Sequence, residues 1–146
     1  MAVLKRLIGA YLALVSLAVA INWVITPLMD NSSGEYPIWV TLNWFMSLAV
    51  ILALVVNFAR KFGLREAGET GITRVYIEVN LAFYASIVLS LWWFWNWFHS
   101  MFPENEPDVV GLIHLEWWAF INPLMVITLG ATGAYLWKSV SDDSRV

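Results

Sequence analysis

The chain contains no cysteine, which excludes disulfides, thiol catalysis and iron–sulfur ligation by its own side chains. The chemistry of thiol–quinone oxidoreductases is excluded with them. It has only two histidines, His99 and His114, and no His-x-x-x-His or Glu-x-x-His spacing. Charge is scarce too: 13% of the residues are charged, against about 25% in a soluble domain. The few basic residues are scattered and share no face, which argues against nucleic acid as a partner. The first apolar stretch holds no acidic residue, whereas small multidrug transporters carry a glutamate there.

Apolar sequence fills the space. Sixty per cent of the 146 residues are hydrophobic and the mean hydropathy is +0.68. Four apolar stretches account for this: Leu7–Met29, Ile38–Ala59, Val79–Phe98 and Trp117–Trp137. At about 1.5 Å per residue each is long enough for a helix across a hydrocarbon core of roughly 30 Å. The pattern predicts an all-α integral membrane protein, a single domain over residues 1–146 with four transmembrane helices in an up-down bundle. The helices are expected at about 7–29, 38–59, 75–98 and 110–137. Helix 1 is expected to begin just after Lys5-Arg6, and helix 2 to end at Arg60-Lys61. Ala18-Val19-Ala20 resembles a signal-peptide cleavage site, but the apolar run continues past it, so the segment reads as a retained helix.

The residues that fix orientation are Lys5, Arg6, Arg60, Lys61, Arg65, Arg74, Lys138 and Arg145. All eight fall at the termini or in the middle connection. The other two connections carry Asp30, Glu35, Glu104, Glu106 and Asp108 and no basic residue. The positive-inside rule therefore predicts both termini on the cytoplasmic side. Of the ten tryptophans, all but Trp137 lie toward the opposite side.

Helices in lipid associate through close packing and polar contacts, because lipid tails are as apolar as leucine. Helix-packing seams are expected at Gly9, Ala13, Ser16 and Ala20, at Ala82, Ser86 and Ser90, and at Gly130 and Ala134 with Thr128 and Thr132 nearby. Asn22, Asn43, Asn57, Asn80, Asn96 and Asn122 lie at membrane depth, where an amide facing lipid is costly. Asn22, Asn43, Asn96 and Asn122 are expected to form one polar cluster beneath the tryptophans. Pro123 removes a backbone bond and crowds the Ala119 carbonyl, so a bend is expected there.

Two features bear on function. Trp92, Trp93, Trp95, Trp97, Trp117 and Trp118 exceed what a membrane anchor needs. They suit packing against a partner subunit, or a pocket for an apolar ligand or lipid. His99, His114 and Glu116 together have the donor types of a metal or haem site. Their spacing disfavours it, since His114 and Glu116 point about 200° apart on a helix. Glu78 reads as an i,i+4 ion pair with Arg74 rather than a proton relay.

The expected function is a non-catalytic accessory subunit of a larger membrane complex, of the respiratory, photosynthetic or copper-monooxygenase type. Its partners would be the lipid bilayer and larger membrane subunits, and the sequence requires no cofactor. The alternatives are a redox or metal-binding protein using His99 and His114, and a small oligomeric transporter or channel.

Overall fold

A computed structural model describes residues 2–29, 37–66, 73–101 and 108–143, with side chains described only at 2–29, 37–64, 73–101 and 116–141. The described elements are helices: α1 (Ala2–Ile25), a 3₁₀ turn at Thr26–Leu28, α2 (Pro37–Glu66), α3 (Arg74–Met101) and α4 (Asp108–Asp143). All four α-helices contain a stretch long and apolar enough to cross a membrane.

Three helix ends run well past expectation. α1 starts at Ala2, not after Arg6, α2 continues past Lys61 to Glu66, and α4 continues past Trp137 to Asp143. Hydropathy marks where apolar sequence stops, but a helix already formed propagates into polar sequence at little cost. Even Gly63 is carried within α2, at about 1 kcal/mol relative to alanine. α3 begins where expected because Thr73 caps it: its hydroxyl oxygen accepts from the Tyr76 N–H at 3.1 Å, a standard N-cap bond. At the far end of α1 the Thr26 hydroxyl donates to the Asn22 carbonyl (2.6 Å). The same Thr26 oxygen accepts the Trp39 indole N–H (2.9 Å) and so ties α1 to the start of α2. α4 runs through Pro123 as one continuous helix of 36 residues.

The bundle alternates in direction. α1 packs most extensively on α4, and α2 on α3. Gly9 lies against Gly133, and one end further along the Ser16 hydroxyl donates to the Val126 carbonyl (2.9 Å). Rising numbers on α1 thus meet falling numbers on α4, so the two are antiparallel. The α2–α3 pair is antiparallel too, with Trp44 edge-on to Trp97 (5.1 Å) and Phe58 beside Phe83 (6.1 Å). α2 and α4 run parallel across the bundle, joined by Asn57–Thr132 and Arg60–Tyr135. The core between them holds Leu12, Val19, Met46, Leu89, Trp93, Ile121, Met125 and Leu129.

The α1–α4 seam is a backbone contact. A Cβ placed on Gly133 would stand 2.8 Å from the Gly9 carbonyl oxygen and 3.2 Å from the Ala13 nitrogen. One placed on Gly9 would stand 3.1 Å from the Gly133 oxygen. Neither neighbour is a flexible side chain, so neither can yield without moving a helix. Gly133→Ala is expected to destabilise the bundle by about 1–3 kcal/mol, the cost of overpacking. Gly63→Ala has nothing within 4 Å of the added methyl and is expected to stabilise α2 by about 0.5–1 kcal/mol. Unfolding midpoints in mixed detergent–SDS solution check both; a neutral Gly133→Ala would show that the seam is not close-packed.

Candidate functional site

The run Trp92–Phe98 places aromatic residues on every face of α3, and tertiary packing divides them. Trp93 (0% exposed), Asn96 (0%) and Trp97 (7%) turn inward. Trp93 stacks on Trp97 at 5.9 Å and meets Trp118 of α4 edge-on at 5.2 Å. Trp97 also receives Trp44. Trp93 and Trp97 are thus internal mortar, clasped by exposed Trp44 of α2 and half-buried Trp118 of α4. Trp92, Trp95 and Phe98 turn outward. Trp92 lies 5.2 Å from Trp117, and Trp117 lies 6.0 Å from exposed Phe120. A cleft of about 210 Å³ opens between Trp92, Trp95, Trp117 and Ile121. Of the six tryptophans expected to pack a partner, Trp92, Trp95 and Trp117 are thus gathered on one outer patch. Trp93 and Trp97 are buried within the chain, and half-buried Trp118 packs on Trp93.

Beneath the aromatic layer the apolar core also holds amides. Asn22, Asn96 and Asn122 are buried, whereas Asn43 is only half-buried. The Asn22 Nδ2, the Asn122 Oδ1 and the Trp93 Nε1 make no hydrogen bond among the described residues. Buried donors and acceptors left in this state are commonly satisfied by internal water. The other half of the bundle holds a connected ladder. The Asn57 amide donates to the Thr132 hydroxyl (2.9 Å), which donates to the Thr128 carbonyl (2.7 Å). Arg60 reaches the Asn57 side-chain oxygen (3.4 Å) while its guanidinium lies 3.4 Å above the Tyr135 ring. Asn80 turns back to its own helix, donating to the Tyr76 carbonyl (2.8 Å).

The expected seam residues are only partly interior. Gly9, Ser16 and Ser86 are buried, and Gly130 is half-buried with Ser16 Oγ 3.2 Å from where its Cβ would be. Ser86 and Ser90 donate to carbonyls of their own helix, Phe83 and Ser86. Ala13 and Ala134 are exposed, on the outer side of the α1–α4 seam. Gly133 occupies the inner position instead; the Gly130-x-x-Gly133 spacing was the available signal for it.

His99 ends α3, with its Nδ1 3.0 Å from the Trp95 carbonyl and its ring 4.9 Å from the Trp95 ring. Glu116 is exposed. The side chains of His114, Glu104, Glu106 and Asp108 lie outside the described residues. Among the described residues no three His, Cys, Asp or Glu side chains converge as metal ligands. Glu78 accepts from Arg74 at 2.7 Å with both side chains exposed, the i,i+4 pair expected from their spacing. The chain matches no protein-family model, and no curated protein or solved structure matches it either.

The Asn57–Thr132 bond is the clearest polar link between two helices. A double-mutant cycle of Asn57→Ala and Thr132→Val is expected to give a coupling of about 0.5–2 kcal/mol. Denaturation of the purified protein in detergent measures it, and zero coupling would show that the contact adds nothing to stability.

Proposed function

We propose that the chain is a multi-pass membrane protein that serves as a non-catalytic accessory subunit of a larger membrane complex, with both termini cytoplasmic. The distribution of all eight basic residues supports the orientation. Membrane placement draws support from the exterior of the bundle: large apolar side chains line the outside of every helix, while Asn57, Asn96, Thr132 and Ser86 are buried alongside the apolar core. In water such an exterior drives aggregation. In lipid it is solvated, and the buried polar contacts help hold the helices together.

The outward patch of Trp92, Trp95, Trp117 and Phe120 carries the subunit reading. Lipid anchoring needs aromatic rings at the headgroup level but does not need them contiguous. Here Trp92, Trp117 and Phe120 meet ring to ring across α3 and α4, and Trp92, Trp95 and Trp117 flank a cleft that one inserted side chain can fill, the usual make-up of an interface centre. The partner is thus a larger membrane subunit presenting an apolar or aromatic knob, as in respiratory, photosynthetic or copper-monooxygenase assemblies.

Extraction of native membranes in mild detergent is expected to bring down larger membrane subunits in fixed stoichiometry. Trp95→Ala is expected to weaken retention about thirtyfold, the effect of losing a hot spot of about 2 kcal/mol. Leu17→Ala, on the exposed face of α1, is expected to change nothing. Recovery of the chain alone as a monodisperse particle would sink the subunit reading.

A further inference from the structure

At the end of the bundle away from the tryptophan patch, the outer side of the α1–α4 seam opens into a groove of about 800 Å³. Its size falls within the range of ligand sites, about 300–1,000 Å³. The floor is formed by Gly9, Ala13, Gly130 and Ala134, whose small side chains leave the space that larger residues fill elsewhere on the exterior. Ala13 and Ala134 are exposed within it, so their side chains remain open to the groove even though the Ala13 backbone borders the close contact of α1 with α4.

The charge at one end of this groove distinguishes it from a plain packing seam. Lys138 lines the groove one turn beyond Ala134 on α4. Arg6 lies four residues before Ala10, a second lining residue, and so shares that face of α1 one turn toward the same end. Both cations are exposed, and neither forms an ion pair among the described residues. Each wall of the groove therefore ends in one positive charge. The Ser141 hydroxyl, which donates to the Trp137 carbonyl (3.2 Å), edges the same opening.

We propose that this groove binds one anionic phospholipid of the leaflet at the basic end. An acyl chain lies along the glycine–alanine floor, and the phosphate sits between Arg6 and Lys138. A neutral transmembrane helix would also fit small residues, but it would offer nothing to the two exposed cations where the groove meets the headgroups. An anionic lipid satisfies the apolar and the charged parts together. The proposal rests on membrane placement and is independent of the subunit reading.

The test is native mass spectrometry of the full chain in mild detergent, titrated separately with dioleoylphosphatidylglycerol and dioleoylphosphatidylcholine. One tightly held phosphatidylglycerol is expected, in preference to phosphatidylcholine. Arg6→Gln and Lys138→Gln are each expected to weaken it about fivefold, and the pair about thirtyfold. Ala134→Phe, which fills the groove from an exposed position, is expected to abolish the tight site while the helical circular dichroism stays unchanged. Equal binding of the two lipids, or phosphatidylglycerol binding that survives the double variant, overturns the proposal. So does a doubled mass that Ala134→Phe returns to a single chain, since a second copy would then occupy the groove. Alkaline carbonate extraction separates the two levels: a chain stripped from membranes refutes membrane placement, whereas an embedded chain without lipid preference refutes the groove alone.

Discussion

The rest of the bundle depends on the backbone contact between Gly9 and Gly133. In the proposed bilayer setting, apolar burial would give little net attraction between helices, so association would come from surfaces that fit closely. Two glycines facing each other let the α1 and α4 backbones approach nearer than any Cβ permits. That approach sets the register of the pair. With it fixed, Ser16 reaches the Val126 carbonyl and Gly130 meets the Ser16 hydroxyl. Asn22 on α1 then falls at about the level of Asn122 on α4, counted along the same antiparallel register. The most extensive interface of the fold follows from positions that carry almost no side chain.

The remaining pairs use different physics at each end. At the tryptophan end the helices are joined by large rings, Trp44 to Trp97 to Trp93 to Trp118. At the basic end they are joined by polar groups, Arg60, Asn57 and Thr132, with Tyr135 beneath the guanidinium. Aromatic packing tolerates slight rotation, whereas a hydrogen-bonded ladder fixes it. The bundle is thus pinned in register at one end and broadly packed at the other. The broadly packed end is also where outward aromatic surface remains.

Particular residues show how far the sequence could be read. Four helices were legible because predominantly apolar stretches of 20 or more residues admit few other structures. Gly9, Ser16 and Gly130 were legible as seam residues because small side chains at helical spacing have few other reasons to recur. The Arg74–Glu78 pair followed from i,i+4 geometry alone. The start of α1 and the end of α2 were not legible, since hydropathy reports the solvent around a helix and not its hydrogen bonds.

The sequence by itself determined the number of helices, the asymmetry of charge and the concentration of aromatic rings at one end. Each of these depends only on local composition and on distance along the chain. Tertiary structure alone decided which rings look inward, that Gly133 and not Ala134 meets Gly9, and that Asn57 finds Thr132 some 75 residues away. The physical reason is helix rotation. A run such as Trp92–Phe98 presents apolar bulk on all sides, so no periodicity selects a face. Only the packing of the neighbouring helices, set from the glycine contact outward, chooses which side becomes core and which becomes surface.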